Sequence, residues 1–203
     1  MSAWVVSDGT RGMEVQSIAL ARALGIDPVI KRIRPSPLLR VFPAWGRCRM
    51  IPPSAGGDQL TPPWPDLVIG CGRRNAGAVL SMKARSGGHS FAVQIQDPRI
   101  DPAHFDALIV PEHDPARGGN VIVTTASLNG LASLDLRAEA KRFDRLVRPL
   151  PGPRVLVAVG GATRRQKVED ALVDRFIGHL EKLIDGGCGL MITASRRTPE
   201  RLV

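Results

Sequence analysis

At 203 residues with a formal net charge of +9, the chain has room for one generous domain, or one domain and part of a second. Hydrophobic residues make up 43% and charged residues 23%, which excludes a disordered tail protein. The 28 cations comprise five lysines and 23 arginines, a skew that fits GC-rich coding as well as it fits an anionic partner.

The predicted elements alternate between short apolar runs and helical patterns, the habit of a parallel α/β fold. Ala3–Ser7 reads as a buried strand and leads into Ser7-Asp8-Gly9-Thr10-Arg11-Gly12. A helix follows from about Glu14 to Leu24, with Val15, Ile18, Ala19, Ala21 and Leu24 facing the sheet and Gly25 at the C-terminal cap. Val29–Ile33 and Leu67–Cys71 are the next strands; the latter precedes Gly72-Arg-Arg-Asn75, a cap position for Asn75, and a helix over Ala76–Arg85. Further strands are expected at Phe91–Ile95, Ala107–Val110 and Val121–Val123, and a helix at Leu134–Leu146. Arg148-Pro-Leu-Pro-Gly-Pro153 reads as a linker, because prolines stop the helix. The pattern then restarts with Val155–Val159, a helix over Val168–Ile184, a strand at Leu190–Thr193 and a turn into another helix at Ser195–Glu200. One complete sheet domain and the beginning of a second are therefore expected, as in a truncated form or a fragment of a longer two-domain protein.

Other classes fall away. Cys48, Cys71 and Cys188 form no close pair, so neither a disulfide framework nor a thiolate zinc site is expected. His89, His104, His113 and His179 lack the spacing of a helical metal site, and no metal is expected. The first residues lack a basic, apolar signal pattern, and no run approaches the roughly 18 apolar residues of a membrane span. The expectation is a cytoplasmic chain.

Chemistry is expected at the strand-end turns. Gly9 and Gly12 let backbone approach a ligand, and the following helix N-terminus favours an anion, so Ser7, Asp8, Gly9, Thr10 and Gly12 form a candidate anion-binding loop. The loop fits neither the dinucleotide fingerprint nor a Walker A loop, and a tight turn is the plainer alternative. In Gln94-Ile-Gln-Asp-Pro-Arg99, Asp97 is a candidate general base, a partner for a sugar hydroxyl, or simply an ion-pair partner of Arg99. Pro111-Glu-His-Asp114 adds a strand-end imidazole in His113. Gly160 and Gly161, with Ser195, Arg196, Arg197 and Thr198, suit a diphosphate or make a solvated basic loop. Between Lys31 and Pro65, Lys31, Arg32, Arg34, Arg40, Arg47 and Arg49 meet Leu38, Leu39, Val41, Phe42 and Trp45. That mixture suits peripheral contact with an anionic membrane through Lys31–Arg49, or cover over the sheet edge. With no tyrosine and 4% aromatics there is no stacking platform, so nucleic acid is not an expected partner.

Taken in order, Trp4–Ala21, Gln94–Arg99, Pro111–Asp114, Val159–Gly161 and Ser195–Pro199 resemble the mitochondrial-fission ELM family, whose bacterial members are described as glycosyltransferases. That family is similar to GT-B glycosyltransferases. The resemblance implies a Rossmann-like acceptor-side domain over 1–148, a Pro-rich linker at 149–153 and an incomplete donor-side Rossmann-like domain over 154–203. It implies transfer from a nucleotide-sugar to a cell-envelope glycan or lipid acceptor, on the inner face of the plasma membrane, with no metal or other cofactor. Asp8, Gly9 and Gly12 would line the acceptor side, and Asp97 or His113, with Asp8, would be the catalytic candidates. Gly160, Gly161, Ser195, Arg196, Arg197 and Thr198 would meet the donor diphosphate. The rival expectations are a non-catalytic interaction protein, since plant members are associated with organelle division, and a nucleotide-sugar-modifying oxidoreductase.

Overall fold

Short, mostly apolar runs form the centre of the sheet because both of their faces are covered. In the computed structural model, which describes residues 1–131, 135–161, 168–195 and 197–202, the backbone packs as two units, Met1–Ser133 and Leu134–Val203.

The first unit carries β1 (Ala3–Ser7), β2 (Val29–Pro35), β3 (Ser54–Gly57), β4 (Leu67–Cys71), β5 (Phe91–Ile95), β6 (Ala107–Pro111) and β7 (Val121–Thr124). They form one sheet in the order β3-β2-β1-β4-β5-β6-β7, parallel throughout except for β3. Side chains alternate along each strand, so Val5, Ile69, Val93 and Ile95 enter one core while Val6, Val68 and Ala92 enter the other. The predicted α/β, Rossmann-like class is the one found.

On the first face lies α1 (Arg11–Ala23), which starts earlier than the expected Glu14. The loop before it is tight: Ser7 Oγ accepts the Gly9 N–H at 3.0 Å, and Asp8 Oδ1 accepts the Thr10 N–H at 3.0 Å. The sheet-facing stripe also differs. Val15 and Leu24 are exposed, whereas Gln16, Ser17 and Ala21 are buried, with Met13, Ile18 and Leu20 packed beside them. Polar residues are tolerated there because they bond back to the helix, Gln16 Nε2 to Gly12 O at 3.1 Å and Ser17 Oγ to Met13 O at 3.4 Å. Gly25 closes the helix as expected, with Gly25 N–H on Arg22 O and Ile26 N–H on Ala21 O. Arg32 on β2 clamps α1 through two bonds to Glu14, at 2.9 and 3.1 Å, and holds that carboxyl below its ordinary range.

The opposite face is filled by α3 (Arg73–Arg85), preceded by the short α2 (Pro37–Val41) and a 3₁₀ turn at Pro43–Arg47. Residues 75–82 of α3 are all buried, because the sheet covers one side and the 37–47 segment the other. Gly72 is the residue before the helix, and Asn75 is not the expected cap: it lies inside α3 and donates from Nδ2 to Cys71 O at 3.0 Å. The β3 strand was not expected, since Ser54-Ala-Gly-Gly57 has little β-propensity. Its pairing is completed by Asp58, which accepts the Arg32 N–H at 2.8 Å.

The second unit holds α4 (Leu136–Val147), β8 (Arg154–Val159), α5 (Asp170–Asp185) and β9 (Gly189–Ala194). Asp135 caps α4 by accepting from Arg137 N and Ala138 N. β8 and β9 pair in parallel from Arg154↔Gly189 to Val159↔Ala194. The helix expected to begin near Ser195 is a single 3₁₀ turn, Glu200–Leu202, in the described residues.

Candidate functional site: the carboxyl edge of the sheet

The chain leaves β1 toward β2 on one side, and β4 lies on the other, so strand order reverses between β1 and β4. In open parallel sheets that reversal opens a crevice at the carboxyl ends of the strands. The loops bounding it here are Ser7–Thr10 and Gly72. Gly9 stands at φ +80°, a conformation that other residues adopt only with strain. Its N–H and that of Thr10 are held by loop side chains, so the unclaimed donors of α1 are those of Arg11 and Gly12. Asp8 is almost covered, with a side chain 7% exposed, and faces Arg74 Nη1 at 3.6 Å. Asp8 and Arg74 share a cleft of about 250 Å³ with Ile33, Arg34, Pro35 and Arg40. Across the floor, the buried Gln94 donates to Gly72 O at 3.1 Å and Ile95 O at 3.0 Å, tying the β4 turn to β5.

Further along the same edge, the turns after β5 and β6 enclose about 600 Å³ lined by Gln96, Asp97, Arg99, Pro111, His113, Asp114, Pro115 and Ser127. The structure therefore brings two of the predicted catalytic residues, Asp97 and His113, into one cleft, and keeps Asp8 in another. Asp97 does not pair with the Arg99 guanidinium. Instead, Asp97 Oδ1 accepts the Arg99 backbone N–H at 2.7 Å, and Asp114 Oδ2 accepts the Asp97 N–H at 3.0 Å. Each carboxylate thus keeps one oxygen, Oδ2 of Asp97 and Oδ1 of Asp114, without a partner among the described residues. Gln96 and Arg99 occupy the left-handed region at φ 65° and 59°. Neither is glycine, so each conformation costs of order 1 kcal/mol, and strain of this kind concentrates at functional turns.

In the second unit, Thr198 Oγ1 donates toward Val159 O and Gly160 O, both at 3.0 Å, and accepts from Ser195 N at 2.8 Å. Ser195 Oγ in turn accepts the Arg197 N–H at 3.2 Å. These hydroxyls lock the β8 and β9 turns together, and a Cβ on Gly161 would overlap the Arg197 carbonyl. A Cβ on Gly160 would meet nothing within 4 Å among the described residues. Arg196 lies outside the described residues.

Arg34, Arg40, Arg74 and Asp114 also line these clefts, and the sequence offers them only inside wider segments, without singling them out. Asp114 was visible as the end of Pro111-Glu-His-Asp114, but its bond to Asp97 crosses between strands. Among the described residues, no group of three His, Cys, Asp or Glu side chains could hold a metal ion. No helix among them is long and apolar enough to cross a membrane.

Cys71 ends β4 beneath this edge. Burial first, and the Asp8 carboxylate second, push its thiol up to about 12, whereas Cys48 is exposed. Iodoacetamide at neutral pH is expected to label Cys48 and spare Cys71 until the protein is denatured. Peptide mass spectrometry reads this, and equal labelling of both in the folded protein would contradict the burial.

A doubly wound, mostly parallel sheet with its polar turns gathered at the carboxyl edge defines a Rossmann-like α/β protein. The chain belongs to the mitochondrial fission ELM1 family, whose model matches residues 11–203. It is 26% identical over 171 residues to the mitochondrial fission protein ELM1 of Arabidopsis thaliana, a match covering 68% of this chain and 38% of the plant protein. The chain therefore spans well under half the length of that relative. No solved structure matches it.

Proposed function

We propose that the protein is a GT-B-type sugar-transfer protein, with acceptor chemistry on the first unit and nucleotide-sugar binding on the second. The observation that carries this reading is the Asp97–His113–Asp114 cluster, whose turn is strained at Gln96 and Arg99 and whose carboxylates each keep an open oxygen. Such a group can take a proton from an acceptor hydroxyl as it attacks the sugar. Gly160, Gly161, Ser195, Arg196, Arg197 and Thr198 are assigned to the donor diphosphate, whose charge the arginines would offset without a metal. The acceptor is a cell-envelope glycan or lipid, and the protein works at the cytoplasmic face of the membrane. Support for the membrane contact comes from the 37–47 cover, which leaves Leu38, Val41, Phe42 and Trp45 exposed beside Arg40 and Arg47. Lys31 contributes little to it, because it sits 4.6 Å over the Trp4 ring.

The second reading is a non-catalytic docking protein, favoured by the relative's name as a mitochondrial fission protein. UDP- and CMP-sugars separate the two. A nucleotide-sugar is expected to raise the melting temperature of the wild type, and Arg196→Ala with Arg197→Ala is expected to abolish the shift. No shift with any nucleotide-sugar would leave the docking reading standing and remove the enzymatic one.

A further inference from the structure

The switch-point cleft holds more positive charge than the fold uses. Arg34 comes from β2, Arg40 from α2 and Arg74 from the first turn of α3, and all three line one space of about 250 Å³ with Asp8. Arg74 has only the 3.6 Å approach to Asp8. Arg34 and Arg40 make no side-chain hydrogen bond and no ion pair among the described residues, in contrast to Arg32 and Arg49, which are spent on Glu14 and on Ala84 O. Three guanidinium groups against one carboxylate leave an excess of two positive charges. A phosphate monoester, with a charge of roughly −1.5 to −2 at neutral pH, matches that excess. Guanidinium forks recognise phosphate oxygens in pairs, and the partial charge at the start of the thirteen-residue α3 acts in the same sense.

Size and position narrow the ligand. The cleft is below the roughly 300–1,000 Å³ of a site that swallows a whole drug-sized molecule, so it suits a head group and not an entire nucleotide-sugar. It lies at the reversal of strand order, where this class of sheet places its ligand. Arg40 sits on a helix that also carries the exposed Leu38 and Val41.

We infer that Arg34, Arg40 and Arg74 form a binding site for a terminal phosphate group, the anionic end of the molecule that the first unit takes as acceptor. The acceptor role rests on the sugar-transfer reading; the phosphate site itself does not. Arg34 and Arg40 hold nothing else in the fold, so removing them tests binding without testing folding.

The full chain is titrated at constant ionic strength with inorganic phosphate and with glycerol 3-phosphate, read by thermal shift and by NMR of the arginine Nε–H groups. In a parallel arm it is sedimented with phosphatidylcholine vesicles carrying phosphatidic acid. Saturable binding of the soluble esters is expected. Arg34→Gln and Arg40→Gln should each weaken it roughly tenfold, the loss of one charge-assisted contact. The double variant should abolish it while the ligand-free melting temperature stays unchanged, and Arg74→Lys should weaken it less than either glutamine. Release of the double variant from these vesicles, but not from vesicles of equal charge carrying phosphatidylserine, would identify a lipid phosphate monoester as the source, since loss of the general membrane contact of Arg40 would affect both. Vesicle binding that is unchanged, with soluble binding lost, would identify a soluble ester. Both results support the site. Absence of phosphate binding in the wild type, or affinity retained in the double variant, overturns it. Phosphate binding without any sugar transfer would end the transfer reading and leave this site in place.

Discussion

Replacing Gly46 by alanine is expected to lower the stability of the first unit by about 3 kcal/mol and to loosen the 37–47 cover from α3. A Cβ at Gly46 would overlap the backbone carbonyl of Gly77, and α3 holds that carbonyl in place. The same cover is also tight at a second point: a Cβ at Gly77 would stand 2.8 Å from Leu39 Cβ and 3.0 Å from Leu39 O, and Leu39 is fully buried. No flexible side chain lies between these backbones to move aside, so the cover must shift as a piece. Arg73, through Val41 O at 3.1 Å, and Arg85, through Arg49 O at 2.7 Å, tie the chain on either side of Gly46 but cannot restore the contact there. Urea unfolding followed by tryptophan fluorescence measures the effect, with Trp45 stacked on Phe42 in the moving segment as the reporter. Gly12→Ala is the control. Gly12 lies in the first turn of α1 with nothing within 4 Å of its added Cβ, so that variant should be neutral or slightly more stable. A Gly46→Ala protein that unfolds at the wild-type urea concentration would show that the two backbones do not touch.

That contact also explains where the sequence was hard to read. The central strands β1, β4 and β5 were legible because short, mostly apolar runs, buried on both faces, are distinctive. α3 was legible as well: a helix is expected over Ala76–Arg85 and runs over Arg73–Arg85, and what the double burial hides is which of its faces meets the sheet. Its covered residues include Asn75, Gly77 and Ser81, small enough for close backbones, and they leave no simple stripe to find. Its start was misread because the residue before it is a glycine with no side chain to announce a cap, while Asn75 looked like one. In α1, buried Gln16 and Ser17 break the hydrophobic pattern, and each bonds back to the preceding turn, Gln16 through its Nε2 alone. The site divides similarly. Asp8, Asp97 and His113 were visible because strand-end turns in a parallel sheet lie along one edge. Arg34, Arg40 and Arg74 were not visible as a group, because the reversal of strand order that gathers them is a property of the folded sheet. In the sequence, Arg34 and Arg40 belong to a basic, apolar stretch that points equally well to a membrane.

The second large effect concerns Asp97. On the proposed sugar-transfer reading, Asp97→Asn is expected to lower kcat/KM by roughly 10²- to 10⁴-fold, the range lost with a positioned general base. The substitution suits the question because it keeps shape. The asparagine oxygen can still accept the Arg99 N–H, so the strained turn at Gln96–Arg99 has no reason to relax. What it loses is the capacity of the open carboxylate oxygen to take a proton. Asp114 is different in kind. Its Oδ2 holds the Asp97 N–H at 3.0 Å, so Asp114→Asn should preserve that bond and cost far less than Asp97→Asn. His113 is exposed and lines the same cleft, so it competes for the role of base. If His113→Gln gives the large loss and Asp97→Asn the small one, the proton goes to the imidazole and Asp97 shapes the turn. Full transfer in all three variants would mean that no proton moves in this cleft, and that its strain and open carboxylate oxygens serve binding alone.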